Sequence, residues 1–436
     1  MVAVAVVAAP ELRQEQRQRR ESRSPSGMTT RRTTATATAT ARIALCISLT
    51  PSTAASALTL KQMPLPSTFA DFLGNTATID NLRASIATGR LPHSLIIAGP
   101  RGAGKYTLAL MLTMALECER HPRELVDGRD LASFCGECRN CTRIAESAEL
   151  QAKIDEAVTA REEMRETDKK DTRVLVQTHP DVLIIPPDPP QLLIKLGQVR
   201  TVIQRAQRRP AESPGLVFIV TSASFMKEAA NSLLKLLEEP PDYAHLILLA
   251  ENTGELLPTI RSRCGVVRLG ALPAEEIETL LARARPDWTK PQRALIARLS
   301  EGAAGRALGF DLAESLASRT DALVLLRSAA QAGDHSALFK MTETYRAGAD
   351  GQVKTTALLR AMGSLLEDLL LLQGGAADRV RNVDILPELN TLADSFDFAS
   401  IERAVRGLDQ VQTGMRRNLL RGLSLDAFAS GLASSR

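Results

Sequence analysis

Three groups of residues have types and spacings that suit defined chemistry. A glycine-rich stretch, GPRGAGKYT, runs from Gly99 to Thr107 and is of a type that binds phosphates. Four cysteines follow within 24 residues, a density that suits a bound metal ion. Further along, Arg263 lies in the triplet Ser-Arg-Cys, and a guanidinium can stabilise a phosphoryl group during transfer. The sequence therefore predicts a phosphate-binding loop, a metal site and an arginine that can act on a phosphoryl group.

The glycine-rich stretch has the surroundings that a phosphate-binding loop requires. The apolar run Ser94–Ala98 before it reads as a buried strand, and Thr107–Leu116 after it reads as a helix. Backbone N–H groups of such a loop, together with the helix N-terminus, attract phosphate oxygens. The residues predicted to contact a nucleotide are Gly99, Gly102, Gly104, Lys105 and Thr107.

Two departures argue against ATP hydrolysis by this chain. The position after Lys105 usually carries Ser or Thr, whose hydroxyl binds Mg²⁺, but here it is Tyr106, and Thr107 is rotated by about 100° around the helix. The later apolar run Leu216–Val220 should end beside the loop, yet no acid occurs between Glu212 and Glu228 to hold Mg²⁺ or orient water. Binding of ATP or ADP without turnover stays open.

The four cysteines have the spacing C-x16-C-x2-C-x2-C, and they are Cys118, Cys135, Cys138 and Cys141. Four thiolates suit tetrahedral Zn²⁺ in a structural site, because a catalytic zinc usually keeps one position open for water. Disulfides are the alternative, but the chain shows no secretory signal pattern, so a metal site is favoured.

The apolar runs also predict the fold that positions these groups. Short buried runs at Ser94–Ala98, 182–185, 216–220 and 246–250 alternate with helical patterns, which predicts an α/β fold whose parallel sheet carries helices on both faces. After Gly270 the patterns are helical only. We expect an α/β domain over 63–270, a small helical domain over 271–335 and an all-α domain over 336–436. The charged stretch 146–173 reads as a solvated helix or hairpin without chemistry of its own.

Composition excludes several classes of protein. The 436 residues are 44% hydrophobic but only 3% aromatic, which disfavours a base-stacking surface, and no apolar run is long enough to span a membrane. Residues 1–62 carry eight Arg, one Lys and three Glu, a charge of +6, so the remaining 374 residues sum to −2. We expect 1–62 to be a disordered or wrongly extended start, with a transit-like segment as the alternative.

Together these pieces resemble the clamp-loader AAA+ family of bacterial DNA polymerase III. The resemblance covers roughly residues 66–310 and is carried by GPRGAGKYT, the four cysteines, His179-Pro180-Asp181, ANSLLKLLEEPP at 230–241, Ser262-Arg263-Cys264 and GAAGRAL at 302–308. In motor subunits the last motif has Arg three positions after its first Gly. Here Gly305 stands there and Arg306 comes one later, which is a third departure from a hydrolysing subunit.

The resemblance implies an AAA+ RecA-like P-loop domain, a helical lid and a C-terminal helical collar. It implies a non-hydrolysing subunit of the DNA polymerase III holoenzyme, a nucleotidyltransferase assembly, in which Arg263 acts in trans and the four cysteines bind structural zinc. Implied partners are tau/gamma-type motor subunits, the delta subunit, the sliding clamp and primed DNA, in the cytoplasm. Two alternatives remain: an active tau/gamma-type ATPase, and a zinc-dependent nucleic-acid-binding module outside any ring.

Overall fold

The computed structural model describes residues 65–165, 169, 172–189, 191–330, 348–416 and 427–428. The expectation for residues 1–62 lies outside the described residues. The strands are β1 Ser94–Ala98, β2 Arg123–Val126, β3 Arg129–Ala132, β4 Val176–His179, β5 Val182–Ile185, β6 Leu216–Val220, β7 Ala244–Ala250 and β8 Gly265–Arg268. The helices are α1 Thr76–Ala87, α2 Lys105–Glu117, α3 Arg139–Ala145, α4 Leu150–Glu162, α5 Leu196–Ala206, α6 Lys227–Glu238, α7 Pro258–Arg261, α8 Ala274–Ala284, α9 Lys290–Leu299, α10 Ala304–Leu308, α11 Leu312–Ala330, α12 Gly348–Gln373, α13 Leu386–Ser395 and α14 Phe398–Arg416.

Six strands form one sheet in the order β4-β5-β6-β7-β1-β8. Five of them run parallel, as the continuous apolar runs predict. Strand β4 runs antiparallel to β5, which differs from the all-parallel expectation. Only Pro180 and Asp181 separate these two strands, and a two-residue connection can join antiparallel neighbours but not parallel ones. The separate hairpin of β2 and β3 was not predicted from the sequence either.

Helices cover both faces of the sheet, as predicted. Alternate residues of each strand face opposite sides: Ile97 of β1 packs with α1 and α2, whereas Ile96 packs with α5 and α6. All five residues of β1 are buried. Strand β1 lies between β7 and β8, so the loop after it leaves the sheet beside the ends of its neighbours. In open sheets of this kind, ligands bind at that edge.

The remaining helices form two further apolar clusters. Helices α8, α9 and α10 share a small core that includes Ile277 and Ile296. Helices α11 to α14 share a larger one. The two groups touch where the Arg298 guanidinium donates to the Val380 carbonyl at 2.8 Å. The division at 270 fits these clusters but stays a prediction, and the division at 335 falls outside the described residues. Within the described residues, no helix has the length and apolar character of a membrane span.

Candidate functional site

The glycine-rich loop has the backbone shape that its sequence predicts. Gly102 and Gly104 have φ values of +85° and +83°, a region that favours glycine. Each also lies against a neighbour: a Cβ on Gly102 would be 2.7 Å from the Arg306 nitrogen, and one on Gly104 would be 2.9 Å from the Phe72 ring. Helix α2 begins at Lys105, so its free N–H groups face the loop. This end of α2 is therefore arranged to receive an anion.

The side chain of Lys105 is folded back onto its own loop. Its Nζ donates to the carbonyl of Gly99 at 2.6 Å and to that of Pro100 at 2.9 Å. Burial lowers the pKa of Lys105, and the nearby carboxylates Glu251 and Glu255 oppose that shift. The ammonium is thus in reach of the loop but is satisfied by backbone oxygens in this conformation.

The Tyr106 hydroxyl, on the residue after Lys105, points away from the phosphate loop. The Tyr106 hydroxyl donates to the Ser147 carbonyl at 2.7 Å, and burial raises the pKa of this phenol. Tyr106 therefore ties α2 to the segment that leads into α4. Thr107 lines the cavity beside the loop. The loss of the usual Mg²⁺-binding hydroxyl at position 106 stays a prediction.

A cavity of about 1340 Å³ opens beside the loop. Gly102, Gly104, Lys105 and Thr107 line it, and the Gly99 carbonyl accepts from Lys105 behind them. Residues Thr221–Ser224, which follow β6, also line it, without an acid among them. Residues of α4 contribute as well (Leu150, Gln151 and Ile154), so the stretch 146–173 takes part in shaping the cavity.

Two carboxylates in this cavity were missed by the sequence reasoning. Glu251 follows β7 directly, and Glu255 belongs to the short 3-10 turn after it. Both line the cavity and lie close enough to Lys105 to influence its pKa. The signal was available, because β7 is the neighbour of β1 in the sheet and its end lies at the same edge. The ends of both β6 and β7 therefore border the cavity.

The helices that follow the sheet close directly onto the loop. The Gly305 N–H at the start of α10 donates to the Gly102 carbonyl at 2.8 Å, and a Cβ on Gly305 would be 3.0 Å from that oxygen. Arg306 pairs with Glu301 at 2.8 Å. The position that carries Arg in motor subunits is here a glycine in backbone contact with the loop, and the next guanidinium is held by a neighbouring carboxylate.

The four cysteines converge on one point. Their sulfurs all lie within 4.8 Å of one another, with 3.6 Å between Cys118 and Cys135 and 3.9 Å between Cys118 and Cys138. A tetrahedral zinc with Zn–S bonds of about 2.3 Å requires sulfurs about 3.8 Å apart. A disulfide requires about 2.05 Å. The group can therefore hold a four-coordinate metal ion, and its spacing fits zinc.

The four cysteines differ in how well their surroundings stabilise the negatively charged thiolate. Backbone N–H groups of Cys138 and Cys141 donate to the sulfurs of Cys135 and Cys138. Burial acts to raise the pKa of Cys135, but N–H donors of Glu137 and Cys138 outweigh it and lower this pKa to about 7. Burial raises the pKa of Cys118 and of Cys141. A bound cation would supply the charge that the buried thiolates need.

Buried hydrogen bonds join the cysteine cluster to the sheet. The Asn140 side chain donates to the Glu117 carbonyl at 2.8 Å and contacts His179 Nε2 at 3.0 Å. The Asp181 N–H donates to His179 Nδ1 at 3.1 Å. Three backbone N–H groups, those of Ala211, Glu212 and Ser213, donate to the Asp181 carboxylate. The motif His-Pro-Asp is therefore a structural junction.

Arg263 lies away from this cavity, one residue beyond the end cap of α7. It is not among the described residues that line the cavity, and a third of its side chain (33%) is exposed. Its Nε donates to Glu238 Oε1 at 2.8 Å, and its Nη1 donates to the Thr259 carbonyl at 2.8 Å. The next residue, Cys264, packs against the core under α6, which fixes the backbone here.

Comparisons with known proteins point to one family. The family model described as "DNA polymerase III, delta subunit" matches residues 74–273. DNA polymerase III subunit delta' of Escherichia coli is 27% identical over 350 residues, which cover 78% of this chain and 90% of that protein. Subunit tau of the same organism is 27% identical over 307 residues, 70% of this chain but only 37% of tau. The chain thus spans little more than a third of that relative.

Among solved structures, a DNA polymerase III gamma subunit-related protein of Thermotoga maritima overlaps 82% of this chain and 98% of its own length. The identity is 19% and the TM-score is 0.38, a similarity too low for comparing the positions of individual residues.

Proposed function

We propose that this chain, which belongs to the clamp-loader family of DNA polymerase III subunits, is a delta-prime-type subunit that hydrolyses no ATP itself. In this proposal Arg263 acts on a nucleotide held by a neighbouring motor subunit of the tau/gamma type. The delta subunit, the sliding clamp and primed DNA are the other proposed members of a cytoplasmic loading assembly, and the helices after 335 form the collar that joins its subunits.

One observation carries the proposal: the arginine and the phosphate loop of this chain are in different places. Arg263 is exposed and lies outside the cavity, whereas the cavity has Tyr106 after its lysine and no acid after β6. A guanidinium that lies outside the cavity of its own chain is placed to act on a phosphate that a neighbouring subunit holds. Such an arginine stabilises the negative charge that develops on the transferring group.

The cysteine cluster has a structural part in the proposal. Cys118, Cys135, Cys138 and Cys141 would hold Zn²⁺, and the metal would fix the loop between α2 and α3 without touching substrate. ADP or ATP would bind at the phosphate loop without turnover, through Gly99, Gly102, Gly104, Lys105 and Thr107. Glu251 and Glu255 line the same cavity and add negative charge near Lys105.

The test is Arg263→Ala in a complex reconstituted with motor and delta subunits. We expect the complex to assemble normally and single-turnover hydrolysis at the adjoining motor site to slow by about 10³-fold, the lower range for such arginines. Arg261→Ala, two residues away and also exposed, is the control and should leave the rate unchanged. Unchanged hydrolysis in the Arg263 variant refutes the role. Turnover of ATP by the isolated chain would favour the tau/gamma alternative.

A further inference from the structure

We propose that Glu238, the last residue of α6, is a positioning residue for Arg263. The inference rests on the proposed function and adds to it: the arginine would be held in one orientation by a carboxylate of its own chain before a neighbouring subunit arrives. Glu238 itself would not touch the nucleotide.

All three nitrogens of the Arg263 guanidinium have partners. Nε donates to Glu238 Oε1 at 2.8 Å, and Nη2 forms an ion pair with the same oxygen at 2.5 Å. Nη1 donates to the Thr259 carbonyl at 2.8 Å and to the Ser262 hydroxyl at 3.2 Å. One edge of the planar group is thus taken by Glu238 and both N–H groups of Nη1 have acceptors, so one N–H of Nη2 remains to receive an oxygen of another molecule.

The partners belong to elements that are themselves fixed. Leu237 precedes Glu238 and is buried, and Ile260 of α7 is fully buried in the same apolar cluster. Glu238 and Thr259 therefore cannot drift apart without disturbing that core. A long arginine side chain loses much rotational freedom when it is ordered, and here this loss occurs within the free subunit. A group that stabilises a transition state is most effective when it is already in position before the reaction begins.

The same contact, taken alone, is also compatible with masking, in which Glu238 neutralises Arg263 until it is displaced. Exposure argues against this reading: the side chains of Arg263 and Glu238 are 33% and 49% exposed. An ion pair in contact with water is weak, so it orders the side chain without locking it away from a phosphate. The two readings predict opposite changes in rate.

The experiment is Glu238→Ala in the full chain, assembled with motor and delta subunits. If Glu238 positions the arginine, kcat for ATP hydrolysis at the adjoining site falls about 10-fold while KM changes by less than about twofold. Glu238→Gln keeps an oxygen acceptor at the same place and should recover much of the rate. Glu239→Ala removes an equal charge from the next residue and should change nothing. A faster or unchanged rate in Glu238→Ala overturns the inference.

A double variant separates this inference from the proposed function. In the Arg263→Ala background, Glu238→Ala should cause no further loss, because a residue that acts through Arg263 has nothing left to act on. An additional loss of 10-fold would assign Glu238 a different role. If Arg263→Ala alone leaves hydrolysis unchanged, the proposed function fails. If it slows hydrolysis and Glu238→Ala does not, only the positioning role fails.

Discussion

Acid should destabilise the sheet through one partly buried histidine. His245 lies in β7, and its ring stacks on that of His93 with centroids 5.2 Å apart. Burial, with a smaller contribution from His93, lowers the pKa of His245 from 6.5 to about 4. Its Nδ1 is buried and has no hydrogen-bond partner in the described chain, so a protonated ring would bury an unsatisfied N–H. The informative change is His245→Gln, which stays neutral at every pH tested.

The direction and size of the change in unfolding free energy follow from the number of protons that the folded and unfolded chains bind. Between pH 6.5 and about 4 the unfolded chain binds a proton at His245 and the folded chain does not. The stabilising contribution is therefore complete above pH 6.5 and is lost as the pH falls through that range. Linkage gives a loss of about 2 kcal/mol between pH 7 and pH 5. Since the residue is only partly buried, we expect about 1 to 2 kcal/mol.

The assay is urea unfolding followed by far-ultraviolet circular dichroism at pH 7, 6 and 5. The chain has one tryptophan, Trp288, which packs with α8 to α10, so its fluorescence would not report on the sheet. The free energy of unfolding should fall more steeply with acid in the native chain than in His245→Gln, and His121→Gln, an exposed site, should behave like the native chain. Equal pH dependence in all three chains would refute the reasoning.

Two further predictions concern the cysteine cluster and the phosphate loop. Purified chain should contain one zinc per molecule, and Cys138→Ser should lower zinc affinity at least about 10-fold because it removes a thiolate ligand, as measured by metal analysis after dialysis. Gly102→Ala should lower the free energy of unfolding by about 2 kcal/mol or more in urea, because its φ is positive and its Cβ would collide with the Arg306 backbone.

Each of these has a matched control within the chain. Cys264→Ser should keep its zinc, because Cys264 is not one of the four converging cysteines. Gly89 has a φ of +64° and nothing within 4 Å of the position of a Cβ, so Gly89→Ala carries the backbone strain without the collision. If both glycine variants are destabilised equally, contact with α10 contributes nothing. If Cys138→Ser retains its metal, the zinc assignment is wrong.

Much of the sheet could be predicted because its central strands are short apolar runs between helices. Strands β1, β5 and β6 have the predicted bounds, and β7 begins two residues earlier than predicted. Strands β4 and β8 and the β2–β3 hairpin were missed, because VQTH and GVVR are only partly buried and half of the residues in RELV and RDLA are charged. Where few strand residues are buried, hydrophobic pattern carries little information.

The candidate site could also be predicted only in part from the sequence. Motif spacing predicted which residues form the phosphate loop and the cysteine cluster, and the structure brings each group together. Pairing across long sequence distance could not be predicted: Glu238 meets Arg263 only because α6 and α7 pack on one core. Nor could the contact of Gly305 with Gly102, which depends on how the later helices fold back.

Helix α2 begins at Lys105, and Cys118 directly follows its last residue. The helix therefore connects the phosphate loop at one end with the cysteine cluster at the other. Its 13 residues make a rod about 18 Å long. At the far end, Glu117 receives the Gly215 N–H at 3.1 Å. A tilt of only about 5° would shift one end by about 1.6 Å relative to the other, given this helical rise. A metal ion held by the four thiols would fix the distal end of α2 through Cys118, and it would thereby restrict the movement of Lys105 at the other end.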